Sequence, residues 1–179
     1  MSNDTSDNAA IQFPLNHNLI GIIDQEDKDL LDHYWFPTRG LHTHYIIRKP
    51  GHGKSRRAII MHRLILARII ERPLEKHELC DHINGNGLDN RRCNLRVVSR
   101  KENMWNSASK KNSTSKYKGV SWQASNHKWR AAIRENGKAN YLGLFDNENQ
   151  AARVYNEAAK RVYGEFARLN IIEEDDTPR

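Results

Sequence analysis

The sequence predicts an α+β protein built from two small modules, and three observations predict it. Short apolar or alternating runs are broken by turns rich in Asn, Gly and Ser, as hairpin strands are. Helical spacing recurs in two places, Met61 to Ile70 and Ala151 to Val162. Between them the pattern changes character, from a compact Asp-His-Asn segment to alternating aromatic and basic residues followed by a long amphipathic helix. That change predicts a second, separately packed module.

The first ten residues, MSNDTSDNAA, are polar and predict a disordered tail. Residues 11 to 60 hold a strand-like run, Leu19 to Ile23, an acidic stretch from Asp24 to Asp32, and alternating runs around His44 to Arg48 and Arg57 to Ile60. A small β-rich N-terminal layer is expected from them. Gly51-His52-Gly53-Lys54 lacks the Gly-x-x-x-x-Gly-Lys-Ser/Thr spacing of a phosphate loop and reads as a basic hairpin tip. The following helix offers Met61, Leu64, Ile65 and Ile69 to a core. His62 and Arg63 lead that helix and are read as structural.

Residues 80 to 106, CDHINGNGLDNRRCNLRVVSRKENMWN, carry the chemistry. Asp81 and His82 fall in a predicted strand, Leu79 to Ile83, where neighbours face opposite sides, so one can bind a metal while the other faces substrate. Asn84-Gly85-Asn86-Gly87 is turn chemistry, and Leu95 to Val98 is the returning strand of a hairpin with an enlarged loop. Asn94 ends that loop. Ser99 and Glu102 form a capping-box pattern that starts a helix carrying Asn103.

This order resembles the His-Asn-His (HNH) endonucleases, in particular their phage and intron-encoded homing branch, whose ββα-metal core is a hairpin and a helix clasping one ion. The resemblance spans about residues 59 to 106. It implies Asp81 and Asn103 as metal ligands, His82 as general base, and Asn94 as the Asn that holds the loop and orients His82. Asn90 lies in the same loop and could share that role; Asn94 is preferred because it matches the family position. Asn103 stands where many family members have His, which leaves an all-oxygen protein pair suited to magnesium or manganese rather than zinc. Arg91, Arg92 and Arg96 crowd the loop and are read as phosphate contacts. Cys80 and Cys93 form no Cys-x-x-Cys pair and are read as small buried or loop thiols.

Downstream, Tyr117 to Trp122, Lys128 to Arg134 and Tyr141 to Phe145 predict a three-stranded antiparallel sheet. Asp146 or Asn147 caps the next helix, in which Ala151, Tyr155, Ala158, Ala159 and Val162 face the sheet before Gly164 stops it. YKGV, KWRAAIR, YLGLFDNENQAARVYNEAA and GEFARLN together resemble the Apetala-type, ethylene-responsive DNA-binding domain of plants. That resemblance implies that the sheet lies in a DNA major groove. By position Lys118, Ser121, Gln123, Arg130, Arg134 and Tyr141 become candidate DNA contacts. Ser121 and Gln123 replace family arginines, so the plant recognition sequence does not carry over. Trp129 is expected in the core.

The net charge of +7 favours a polyanionic partner, and its distribution locates the excess. Residues 1 to 99 hold 14 basic against 12 acidic residues, residues 100 to 170 hold 14 against 6, and residues 171 to 179 hold 1 against 4. The expected organisation is residues 1-10 as tail, 11-106 as N-terminal layer plus nuclease core, 107-116 as a Ser- and Lys-rich linker, 117-170 as DNA reader, and 171-179 as an acidic tail. No apolar run approaches the roughly 20 residues that span a bilayer. Polar first residues and two cysteines lead to an expected cytoplasmic location in a bacterial host cell, a phage-borne gene being compatible with it. The expected function is metal-dependent cleavage of double-stranded DNA by a monomer rather than a dimer. The alternative is a DNA-binding regulator whose nuclease core is a non-catalytic scaffold.

Overall fold

The structure, a computed structural model, describes residues 9 to 40, 42 to 49, 57 to 109 and 112 to 173. The tip read at residues 51 to 54 and most of both tails lie outside the described residues. The chain packs as two compact units, residues 1 to 103 and 104 to 179. Mixed helix and small antiparallel sheets make the protein α+β, as the sequence predicts.

In the first unit β1 (Ala10–Leu15) pairs antiparallel with β2 (Leu19–Asp24). A three-stranded sheet follows from β3 (Phe36–Arg39), β4 (His44–Arg48) and β5 (Ile59–Ile60), with β4 central. Helix α1 (Met61–Ile69) leads into the hairpin of β6 (Leu79–His82) and β7 (Leu95–Val98), and then into α2 (Arg100–Trp105), whose last two residues belong to the second unit. One apolar core joins these pieces: Leu15, Ile23, Leu30, Trp35, Ile46, Met61, Ile65, Leu66 and Leu95 pack in a single cluster. The N-terminal layer and the hairpin therefore bury the same surface. On α1 the inward face is Met61, Ile65 and Leu66, while Ile69, expected inside, is 36% exposed. The helix ends at that residue, beyond the reach of the core beneath its first two turns.

The acidic stretch has a structural role. Gln25–Asp32 forms 3-10 turns, and the fully buried Asp27 accepts hydrogen bonds from Arg68 of α1 and Arg92 of the β6–β7 loop. Asp24 accepts from the Arg92 backbone N–H at 2.7 Å. A buried carboxylate is tolerated only when paired in this way.

In the second unit β8 (Val120–Gln123), β9 (Lys128–Glu135) and β10 (Lys138–Phe145) form an antiparallel sheet with β9 central. Helix α3 (Glu148–Tyr163) covers one face, started by Asn147, whose side chain accepts from the Gln150 N–H. Ala131, Ala151, Ala152, Ala158 and Ala159 are almost wholly buried, so helix and sheet approach closely. Gly119, at φ 77°, lies against the Tyr155 ring, where a Cβ would collide. Trp129 packs at the edge of this core, as expected. In the segment read as a linker, Ser115 is buried and its Oγ donates to Glu148 Oε1 at 2.6 Å, while Thr114 Oγ1 accepts from the Trp122 N–H.

Candidate active site

Strand β6 brings Asp81 and His82 into the interior of the first unit, 7% and 5% exposed. The enlarged loop between β6 and β7 is tied down from three directions. Strand β2 reaches it by a parallel bridge, with the Ile22 N–H donating to Leu88 O and the Asn90 N–H to Ile22 O. Strand β4 and the turn before it reach it through Gly87, whose N–H donates to Thr43 Oγ1 and whose missing side chain lets the loop lie on the His44 carbonyl. Asn94 closes it from within: its Oδ1 accepts from the Asn84 N–H, and its Nδ2 donates to Asp89 O at 2.7 Å.

Asn94 thus holds the loop, and the amide beside the His82 ring belongs to Asn90. Asn90 Oδ1 lies 3.2 Å from His82 Nε2, and its Nδ2 donates to Leu88 O. An amide that donates to Leu88 presents its acceptor to the ring, so Nε2 carries the proton and Nδ1 the lone pair. Burial holds the His82 imidazole below its ordinary value, so it is neutral near pH 7.

Two rings enclose His82. The His62 centroid lies 4.8 Å away at near right angles, and Tyr45 of β4 packs against both histidines. Burial drives His62 down to about 3, with the charges of His82 and Arg63 adding to the effect. Its Nδ1 is buried with no hydrogen-bond partner among the described residues. The sequence marks neither Tyr45 nor His62 as a site residue, and it ranks Asn90 behind Asn94. The one signal that points to His62 is its place at the start of a buried helix.

The loop arginines are all engaged inside the unit. Arg91 forks onto Asp89 at 2.8 and 2.7 Å, and its guanidinium holds that carboxyl below the usual range. Arg92 pairs with Asp27 and Glu26. Arg96, directly opposite Asp81 in the β6–β7 register, donates from Nε and Nη2 to Asp81 Oδ2, both at 3.0 Å. Asn103 lies exposed on α2, whose start is fixed by the expected capping box: the Ser99 N–H donates to Glu102 and the Glu102 N–H to Ser99 Oγ. Asp81 presents a buried carboxylate and Asn103 an exposed amide, each an oxygen donor of the kind that hard cations take. The guanidinium on Asp81 marks that carboxylate as a place for positive charge.

On the second unit the register separates the two faces of the sheet. Ser121 opposes Arg130, Gln123 opposes Lys128, and Tyr141 opposes Ala132, all on the side away from the buried Val120, Ala131 and Ile133. Arg134 follows on that same side of β9. Arg130 lies over the Tyr141 ring at 5.9 Å, and Tyr141 is 59% exposed. Lys118 is placed differently. Its Nζ donates to the Met104 and Trp105 carbonyls at the end of α2, and burial lowers it to about 8.

The hairpin, the loop clasped by Asn and the short capped helix have the order that the nuclease resemblance implies, and comparison with known proteins supplies the family. Residues 61 to 105 match the model of the HNH endonuclease family. An HNH endonuclease of Acanthamoeba polyphaga mimivirus, L560, is 34% identical over 113 residues, which is 63% of this chain and 58% of that protein. Protein 3.8 of Escherichia phage T7 is 35% identical over 97 residues, covering 54% of this chain and 79% of the phage protein. The chain belongs to the HNH endonuclease family. Similarity to plant DNA-binding proteins supports an Apetala-type C-terminal unit: dehydration-responsive element-binding protein 2A of Arabidopsis thaliana is 48% identical over 50 residues, 27% of this chain and 15% of the plant protein. No solved structure matches.

Proposed function

We propose that this protein is a metal-dependent endonuclease of homing type, with double-stranded DNA as substrate and the C-terminal sheet as its targeting module. The observation that carries the reading is the state of His82: buried, neutral, and hydrogen bonded through Nε2 so that Nδ1 is the basic nitrogen. A neutral imidazole held in one tautomer can take a proton from a water aligned with the scissile phosphorus. Asn90 and Asn94 act as positioning residues, the first on the ring and the second on the loop. Asp81 and Asn103 would hold magnesium or manganese, which supplies positive charge to the phosphate oxygens and the leaving 3′-oxygen. The products would be a 5′-phosphate and a 3′-hydroxyl.

Ser121, Gln123, Arg130, Arg134 and Tyr141 share one open face, which suits a sheet laid in a major groove. Lys118 would serve that face indirectly, from its place on the end of α2. Arg91, Arg92 and Arg96 already share their charge with carboxylates, so they would meet a phosphate as part of a paired network. No described helix is long and apolar enough to cross a membrane. It would act as a monomer in the cytoplasm of a bacterial host, a host that the similarity to a phage protein fits.

Cleavage of supercoiled plasmid tests the reading, with magnesium, with manganese and with chelator. Loss of a positioned base lowers rate by about 10² to 10⁴, so His82→Ala is expected to leave metal-dependent nicking or linearisation at or below a hundredth of wild type. Equal cutting by His82→Ala would end the assignment. One observation favours a second reading, a DNA-binding regulator on a non-catalytic scaffold: Asp81 is already neutralised by a guanidinium. Retardation of DNA without cleavage in any metal would select it.

A further inference from the structure

Arg96 and Asp81 are directly opposed residues of a two-stranded hairpin, so their side chains leave the same face. Their contact is deep: the side chains are 13% and 8% exposed, and two N–H groups of the guanidinium converge on Asp81 Oδ2. A carboxylate this buried requires a cation nearby, because its desolvation is otherwise uncompensated. In the other ion-paired arginines of the loop the carboxylates belong to the scaffold: Asp27 ties the acidic turns to α1, and Asp89 anchors the loop. Asp81 differs in being the proposed metal ligand.

We infer that Arg96 is the resident counter-ion of Asp81 and sets the metal affinity of the site, holding it weak in the free protein. This rests on the proposed role of Asp81 as a metal ligand. A divalent ion arriving at Asp81 meets a carboxylate whose charge is already shared, and a fixed positive charge within a few ångströms in a partly desolvated site. Arg96 thereby keeps Asp81 in place while opposing the ion that uses it. A phosphodiester entering the site brings the negative charge that relieves this opposition, so loading is favoured on DNA rather than away from it. Arg96 is a positioning residue in this scheme, acting on the ion through Asp81.

The test is Mn²⁺ binding to the full chain without DNA, read from the electron paramagnetic resonance signal of free Mn²⁺. Arg96→Gln is expected to bind about tenfold tighter than wild type, equivalent to about 1.4 kcal/mol. Arg96→Met carries the same expectation and keeps the aliphatic stem, should the glutamine variant fail to fold. Arg96→Lys retains the charge and is expected to stay within about threefold of wild type. Asp81→Asn is expected to lose binding. If Asp81→Asn binds Mn²⁺ as wild type does, the metal-site reading itself fails. If Asp81→Asn loses binding but both neutral Arg96 variants bind no tighter than wild type, or Arg96→Lys binds as tightly as they do, the role of Arg96 is overturned.

Discussion

The two units treat polar groups in opposite ways. The first buries Asp24, Asp27, His62, Asp81, His82, Asp89, Asn90 and Asn94, whereas the second buries chiefly alanines and tyrosines, with Asn106 and Ser115 as its small polar exceptions. Its arginines differ as well: Arg68, Arg91, Arg92 and Arg96 all pair with carboxylates, while Arg130 and Arg134 make no ion pair among the described residues. On the proposed function, a unit that holds a base and a ligand in fixed orientation needs buried hydrogen bonds and counter-ions. A unit that must present charge to a partner needs only a close-packed support and a bare face.

The sharpest way to break this contrast is Asp27→Ala. It removes the acceptor that Arg68 and Arg92 share, and although Arg68 keeps Asp29 and Arg92 keeps Glu26, each charge-assisted hydrogen bond lost is worth about 1.5 to 3 kcal/mol. Hydrogen exchange should accelerate in residues 10 to 98 and stay unchanged in residues 120 to 163; protection equal to wild type throughout would show that Asp27 is not central. Gly119→Ala should do the reverse. A methyl group forced onto the Tyr155 ring at positive φ costs about 2 to 4 kcal/mol, read as lost protection confined to β8, β9 and α3. Acid sharpens the same comparison.

His62 titrates near 6.5 when unfolded and about 3 when folded. Between those values the unfolded chain binds a proton that the folded chain excludes, so stability present above pH 6.5 is lost as pH falls, by about 1.4 kcal/mol per unit for one such group. His82, lowered in the same direction, adds to it. His62→Phe should flatten the dependence of unfolding free energy on pH by one proton over that window. An unchanged slope would mean that His62 is not excluded from protonation in the fold.

Local patterns are legible in the sequence and long-range ones are not. The capping box at Ser99 and Glu102, the hairpin around Asn84 to Asn94, and the cap at Asn147 depend on residues close in sequence, and the structure has each of them. Strand β1 escapes a sequence reading although Ile11, Phe13 and Leu15 alternate with Gln12 and Pro14, because Pro14 argues against a strand and the pairing that stabilises it comes from β2. The acidic run gives no hint of its acceptor role, since its arginines lie 41 and 65 residues away. Asn90 cannot be told from Asn94 for the same reason: what holds its backbone beside His82 is a bond to the distant Ile22.

The parallel bridge between Ile22 and Asp89 bears on how such domains can be moved between proteins. The segment that carries the recognisable motif, residues 61 to 105, is not a portable cassette. Its loop takes its shape from groups on β2 and beside β4, and its core residues Met61, Ile65 and Leu95 pack against Ile23 and Ile46. A graft cut at the motif would carry the reactive side chains and leave behind the strands that aim them. Transplantation should therefore begin at residue 10, and recombination between relatives would be tolerated at the junction near residue 104 sooner than anywhere inside the first unit.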